Sequence, residues 1–334
     1  MNNYSPATNR YDNKMSYNFC GNSGLQLPKL SLGLWHNFGN ADNFDESKKM
    51  LFTAFDNGIT HFDLANNYGV PGGSAESNFG KILKSDFANY RDEMIISTKA
   101  GYGMWEGPYG DGSSRKYLIS SLDQSLKRMQ LEYVDIFYSH RYNPETPIEE
   151  TMEALSHIVR QGKALYVGLS NYPVEVLPKA LQILQDNHTP CLIYQGCYNI
   201  INQSDALDGK FQLLKDKGVG YIVFSPLAQG VISDKYINGI PKDSRASKPQ
   251  GFLQEKDIHE ETINKMRQLN DLALKRGQSL AQMALAWVLS NPCVTSVLVG
   301  VSRVQQLTDN LHAIENTSFS TEEINLINSI MQGK

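Results

Sequence analysis

The feature that most constrains this chain is a rhythm. Short β-rich runs recur roughly every 25 to 40 residues, about the length of one strand-plus-helix unit, with amphipathic helix patterns in the gaps. Strand endings are read near Gly33, Asp63, Lys99, His140, Leu169, Gln195, Phe224 and Gly300. Regular βα alternation implies a parallel sheet, because each helical crossover carries the chain back to the same end. Eight units close into a (β/α)8 TIM barrel, and 334 residues suit an α/β barrel built as one domain. The doubly wound alternative requires Gly-x-Gly-x-x-Gly after the first strand. Gly101, Gly103 and Gly107 have the wrong spacing and follow the third.

Several helices are readable by face and by cap. Asp45 to Asn57 brings Met50, Leu51, Ala54 and Phe55 together, with Gly58 as the stop. Ser114 to Met129 repeats the pattern through Tyr117, Leu118, Ser121, Leu122, Ser125, Leu126 and Met129. Thr146 and Glu149 have capping-box spacing with Pro147 as first helical residue, ahead of the stripe Ile148, Met152, Leu155 and Val159. Ser302 is expected to cap a helix burying Val304, Leu307, Leu311 and Ile314. Ser320 and Glu323 open a C-terminal helix with Ile324, Ile327 and Ile330 inside.

Two features depart from simple repetition. Residues 17–27 read as a hairpin turning at Gly21 to Gly24, before the first barrel strand. Between the seventh and eighth strands lies a long loop rich in Gly, Pro and Lys (230–251), then helices near 257–276 and 279–290. A loop that long is usually functional. Residues 1–16 are expected to form a flexible N-terminal arm and 17–334 a single barrel domain.

Composition removes whole classes of function. Lys plus Arg is 31 and Asp plus Glu 35, so the net charge is −4 and no basic cluster offers a nucleic-acid footprint. The cysteines Cys20, Cys191, Cys197 and Cys293 form no Cys-x-x-Cys pair and read as reduced thiols of a cytoplasmic protein. No apolar run reaches the ~18 residues of a membrane span, and the first sixteen residues lack a signal-peptide apolar core. Neither a nucleic-acid nor a membrane partner is expected.

Function in such a barrel belongs at the C-terminal strand ends. There the second strand ends in His61-Phe62-Asp63 and runs on to Tyr68, the third ends at Lys99 and the fourth at His140. Each residue alone has an ordinary explanation: a loop tyrosine packs, a strand-end histidine hydrogen-bonds, an Asp–Lys pair is structural. Their coincidence on one face points to catalysis. Lys99, in a core of branched residues, needs a partner, and Asp63 is the nearest candidate. Ser170, Asn171, Gln195 and Phe224 offer amide-recognising groups and a flat ring suited to a nicotinamide. The turn from Gly300 to Ser302 feeds a helix N-terminus, an anion site, with Arg303 beside it. A metal-dependent hydrolase on His61, Asp63 and His140 is the competing reading, disfavoured because a catalytic metal wants three well-placed ligands and an open position; no metal is expected.

Over nearly its whole length the sequence resembles the aldo-keto reductases. The matching runs are 58–68 (Gly-Ile-Thr-His-Phe-Asp-Leu-Ala-Asn-Asn-Tyr), 96–99 (Ile-Ser-Thr-Lys), 134–140 (Val-Asp-Ile-Phe-Tyr-Ser-His), 168–171, 194–195, 224–230 and 299–303. Within the superfamily, residues 31–39 and 97–102 are most similar to bacterial L-glyceraldehyde 3-phosphate reductases, themselves similar to potassium-channel β subunits. The resemblance implies a catalytic tetrad of Asp63, Tyr68, Lys99 and His140, with Lys99 lowering the pKa of Tyr68. It implies NADPH bound without a Rossmann fold. Trp35, Asp63, Ser170, Asn171, Gln195, Phe224, Ser225, Leu227 and Gln229 map to its nicotinamide and diphosphate side. Lys235 and Arg245 map to phosphate contacts of the long loop, and Gly300, Ser302, Gln306, Asp309 and Asn310 to the adenosine end, with Arg303 an added candidate for the 2′-phosphate. The channel subunits commonly carry Asn where this chain has His140, so the tetrad here is complete. The expected substrate is a small aldehyde, phosphorylated or methylglyoxal-like, bordered by Trp35, Tyr68, Tyr102, Trp105 and Arg141. A cofactor-sensing subunit with slow chemistry is the alternative. The oligomeric state is left open, a homo-oligomer being one expectation.

Overall fold

In a computed structural model of the protein, the structure describes residues 4–241, 246, 253–254 and 258–333. Strands β1 (Tyr17–Phe19) and β2 (Gln26–Pro28) form an antiparallel hairpin. The next eight strands are β3 (Leu30–Gly33), β4 (His61–Asp63), β5 (Ile95–Ala100), β6 (Val134–Ser139), β7 (Ala164–Ser170), β8 (Cys191–Cys197), β9 (Gly220–Phe224) and β10 (Ser296–Val299). All pair in parallel, and β10 closes on β3 to complete the barrel. Around it lie α1 (Phe44–Asp56), α2 (Ser74–Asp86), α3 (Arg115–Met129), α4 (Ile148–Arg160), α5 (Leu177–Asp186), α6 (Ser204–Leu207) and α7 (Lys210–Asp216). Helices α8 (Glu260–Lys275), α9 (Leu280–Ser290), α10 (Val304–Leu311) and α11 (Thr321–Gln332) follow. The expected (β/α)8 barrel, its N-terminal hairpin and its C-terminal helices are thus present.

Local chemistry accounts for these elements. Helix α3 begins where Ser114 accepts from the Tyr117 N–H, and the seven residues expected on its inner face are those it buries. Helix α11 has the capping box of Ser320 and Glu323, burying Ile327 and Ile330. The hairpin seals one end of the barrel: Cys20 and Leu27 pack with the inward-facing Ile136, Tyr138, Ile193, Ile222 and Leu298. Its turn needs glycine at Gly21, where φ is +56° and a Cβ would meet the Gly218 carbonyl oxygen at 2.0 Å.

Two expectations are corrected. Thr146 does not cap α4; Pro147 occupies the N-cap with no side-chain bond, its carbonyl accepting from the Glu150 N–H. Ser302 does not cap α10 either, because the chain stays extended for one more residue and Arg303 takes that position. The segment expected to be a flexible arm makes several contacts from Tyr4 onward. The Tyr4 ring stacks on Phe52 at 3.9 Å, its hydroxyl donates to Asp56 at 2.8 Å, and Arg10 pairs with Glu93 at 2.6 Å. Aromatic burial and a satisfied carboxylate hold it against α1. Helix α2, which sequence periodicity did not single out, carries a fully buried glutamate, Glu76. Residues 242–245 and 247–251 of the long loop lie outside the described residues.

Candidate active site

Strand alternation decides which side chains meet. On β4, His61 and Asp63 point into the barrel while Phe62 faces outward, 5.8 Å from the Phe79 ring of α2. The register sets Asp63 beside Ser97 of β5 and, two residues on, brings Lys99 to the same interior face. Lys99 Nζ donates to Asp63 Oδ2 at 2.5 Å, to the Leu64 carbonyl at 2.6 Å and to the Tyr68 hydroxyl at 3.3 Å. Asp63 Oδ1 accepts from Ser97 Oγ at 2.6 Å and from Gln195 Nε2 at 3.3 Å. The ammonium and the carboxylate are both buried, so each is held by the other and by these bonds.

Tyr68 reaches this pair from the segment after β4, its ring 6.3 Å from Trp35 and 5.9 Å from His140. His140 is placed by its own N–H on the Ala100 carbonyl and by Tyr102, whose ring meets it edge-on at 4.7 Å. The four residues named from sequence are therefore brought together at one end of the barrel.

The electrostatics differ from expectation at Tyr68. Its pKa is raised well above that of a free phenol, by burial first and then by the charge of Asp63, rather than lowered by Lys99. Burial in turn lowers the Lys99 pKa against the pull of Asp63. His140 is held well below the usual imidazole range by burial and by Lys99 and Arg141, so it is neutral near pH 7. The phenol thus keeps its proton in the resting protein, with a hydrogen-bonding cation beside the oxygen that would be left by its loss.

Other residues named from sequence fall into distinct groups. Ser170 is buried on β7, and Asn171 follows in a left-handed conformation with its amide on the His140 carbonyl. Gln195 faces Asp63, as given above. Phe224, Ser225, Leu227 and Gln229 line the turn after β9, with Ser225, Ala228 and Gln229 all at positive φ. Three backbone outliers in five residues are costly and mark a shape imposed by the surroundings. Lys235 is exposed beyond that turn, and Arg245 lies outside the described residues. Gly300 leads to Ser302, whose N–H and hydroxyl both bond Gln306 Oε1 at 2.9 Å. Arg303 and Asp309 are exposed and Asn310 is buried. The expected anion site is modified: the Glu46 carboxylate of α1 already accepts from the Val304 N–H at the start of α10. Arg141, expected at the substrate mouth, is committed to the Gly101 carbonyl and to both Asp111 oxygens, with its guanidinium 4.7 Å over Tyr102. Trp105 packs on Tyr117 at 5.1 Å.

Sequence reading missed Ser97 and Glu76. Ser97 stands two residues before Lys99, in phase with it, which is the signal that could have found it. Glu76 accepts from Thr98 Oγ1 at 2.6 Å and from Arg128 Nε at 2.7 Å, clamping β5 next to Lys99; no local pattern marks it.

The fit of a nicotinamide cofactor can be tested on polar atoms that this site leaves bare. Nδ1 of His140, Oδ1 of Asn67 and Oε1 of Gln229 are buried without a protein partner. Such atoms are rare unless something else satisfies them. Their position, beside the phenol and beside the turn after β9, fits a polar ligand spanning the two.

The Aldo/keto reductase family model matches residues 29–332. The chain belongs to the aldo/keto reductase family. It is 57% identical over 315 residues to the L-glyceraldehyde 3-phosphate reductase of Escherichia coli O157:H7, covering 93% of this chain and 91% of that protein. It is 34% identical over 325 residues to a probable voltage-gated potassium channel subunit beta of Oryza sativa subsp. japonica, covering 96% and 98%. Among solved structures, the thermostable aldo-keto reductase Tm1743 in complex with the inhibitor epalrestat matches at a TM-score of 0.74 and 30% identity, over 95% of this chain and all of that one. Among the described residues no helix is long and apolar enough to cross a membrane.

Proposed function

We propose that this aldo/keto reductase reduces small aldehydes to alcohols with NADPH, and that Tyr68 supplies the proton. The observation that carries the reading is the position of Lys99 Nζ, 2.5 Å from Asp63 and 3.3 Å from the Tyr68 hydroxyl. NADPH, when bound, supplies the hydride for the carbonyl carbon. Tyr68 O–H then gives its proton to the carbonyl oxygen, and the phenolate left behind accepts from Lys99. Asp63 keeps that ammonium in place. Neutral His140 orients the carbonyl by hydrogen bonding.

Trp35, Ser170, Asn171, Gln195, Phe224, Ser225, Leu227 and Gln229 would hold the nicotinamide and diphosphate. Lys235, Arg245, Gly300, Ser302, Arg303, Gln306, Asp309 and Asn310 would hold the remainder. The similarity to an L-glyceraldehyde 3-phosphate reductase supports a short, phosphorylated or methylglyoxal-like substrate. The similarity to a potassium channel subunit supports the weaker alternative of a cofactor sensor with slow turnover. NADPH oxidation measured with glyceraldehyde 3-phosphate, glyceraldehyde, methylglyoxal and a steroid ketone separates these. Fast turnover of the short aldehydes is expected; absence of turnover with tight NADPH binding would leave the sensor reading, and faster steroid turnover would reject the substrate class.

A further inference from the structure

His61 is buried two residues before Asp63 on the inner face of β4, and the chemistry above makes no use of it. Both its ring nitrogens are engaged by hydroxyls at 2.9 Å, Nε2 by Ser97 and Nδ1 by Ser31, so neither is available to a metal. Ser97 Oγ in turn donates to Asp63 Oδ1 at 2.6 Å. On the other side Ser31 Oγ lies 2.7 Å from Ser296 Oγ, which is 2.6 Å from the Pro28 carbonyl. A buried polar chain thus runs along the barrel interior from Asp63 to the hairpin that seals the far end.

Counting protons gives this chain a direction. A serine hydroxyl has one proton to give, whereas a carboxylate and a carbonyl only accept. Ser97 gives its proton to Asp63, so its contact with Nε2 requires the imidazole N–H there, and the network assigns that tautomer. Burial pushes the His61 pKa down to about 4, Lys99 adding to the effect and Asp63 opposing it, so the ring is neutral near pH 7. The contacts from Asp63 to Ser97 and from Ser97 to Nε2 are then fully supplied. The three contacts from Nδ1 to Pro28 share the protons of Ser31 and Ser296, so the shortfall falls at the hairpin end, away from Asp63.

We propose that His61 is a positioning residue for the reaction, acting through Ser97 to fix the orientation of the Asp63 carboxylate. The proposal rests on the reading of Tyr68 as proton donor. Without the His61 N–H, Ser97 Oγ loses one of the contacts that fix its rotamer and can turn from Asp63, leaving the carboxylate free to rotate away from Lys99. Asp63 already opposes ionisation of Tyr68, so freeing it makes the phenol a weaker acid. The groups facing Tyr68 are Asp63, Lys99, Tyr102, His140 and Trp35; the charged groups facing His61 are Asp63 and Lys99. A change at His61 therefore reaches Tyr68 through that ion pair.

The test compares His61→Leu, which removes both bonds, with His61→Gln, whose amide can donate to Ser97 and accept from Ser31 but cannot titrate. Turnover of methylglyoxal is followed against pH, and NADPH binding by fluorescence. His61→Leu is expected to lose about tenfold or more in kcat, with the alkaline limb moved up by about one pH unit. His61→Gln is expected to stay within about threefold of wild type with the limb in place, and both should bind NADPH normally. Ser97→Ala removes the hydroxyl through which His61 would act and with it the bond to Asp63, so it should be impaired at least as much as the Leu variant, with the limb moved the same way. Wild-type turnover and pH profile in Ser97→Ala, or a folded Gln variant as impaired as Leu, would overturn the proposal. Tyr68→Phe run alongside separates the two readings. If that variant keeps turnover, the proton-donor assignment itself fails; if it is inactive, only the role of His61 is at stake.

Discussion

The Lys99 ammonium lies 4.8 Å from the centre of the Tyr68 ring and 3.3 Å from its hydroxyl, so one cation addresses both the face and the oxygen of the phenol. That placement makes the hydroxyl separable from the ring by mutation. Tyr68→Phe keeps the ring beside Trp35 and removes only the hydroxyl proposed to give the proton. Turnover is expected to fall by about 10²–10⁴-fold, the usual contribution of general acid catalysis, with NADPH binding and melting temperature near wild type. Stopped-flow kinetics, fluorescence titration and thermal melting check the three parts. A variant within about threefold of wild-type turnover removes Tyr68 from the chemistry.

Lys99→Met should behave differently, because it leaves Asp63 without its cation in a buried site. Breaking such a pair costs about 3–5 kcal/mol. We expect loss of both turnover and stability, seen by chemical denaturation alongside activity. A variant as stable as wild type would show that Asp63 finds another partner or takes up a proton.

Stability should fall on acidification through buried histidines. His61 is pushed down to about 4 and His140 well below the usual value, so the unfolded chain binds protons near pH 6.5 that the folded one refuses. With more protons bound in the unfolded state, stability rises with pH. This contribution is present above pH ~6.5 and is lost progressively as pH falls toward ~4, at up to about 1.4 kcal/mol per pH unit per histidine. Denaturation midpoints of wild type and His61→Gln between pH 7.5 and 5 test it. The Gln variant should show the shallower slope, and parallel slopes would rule out His61 as a contributor.

NADPH should bind more tightly than NADH, because Ser302 and the exposed Arg303 stand at the start of α10. A charge-assisted contact to a 2′-phosphate corresponds to about tenfold or more in affinity. Glu46, at the same helix end, opposes it. Arg303→Ala should narrow the preference and Glu46→Gln widen it. Equal dissociation constants for the two cofactors in the wild type would reject the assignment.

Tyr4 makes an independent test of the N-terminal segment. Tyr4→Ala deletes a ring stacked on Phe52 and edge-on to Phe87 at 5.0 Å, together with the bond to Asp56. A loss of about 1–2 kcal/mol is expected by denaturation, with turnover unchanged. No loss of stability would return the segment to the status of a loose arm.

The barrel itself was legible because its two periodicities are local. A helix that buries Tyr117, Leu118, Ser121, Leu122, Ser125, Leu126 and Met129 states its own inner face, and a strand that alternates His61, Phe62 and Asp63 states two. Asp63, Tyr68, Lys99 and His140 were nameable for the same reason: polar residues at strand ends stand out against branched neighbours. What the sequence could not carry was direction of charge and partner choice between distant segments. Lys99 was expected to lower the pKa of Tyr68, yet burial and Asp63 together outweigh it, and burial is a property of the closed barrel. Ser302 was expected to cap a helix whose first free N–H is instead claimed by Glu46, far away in the sequence on α1. The link from His61 through Ser97 to Asp63 likewise needs β4 and β5 in one register. Periodicity fixes which way a side chain points along its own element; only the packed barrel decides which hydroxyl, carboxylate or ring it meets there, and desolvation then sets what that meeting does.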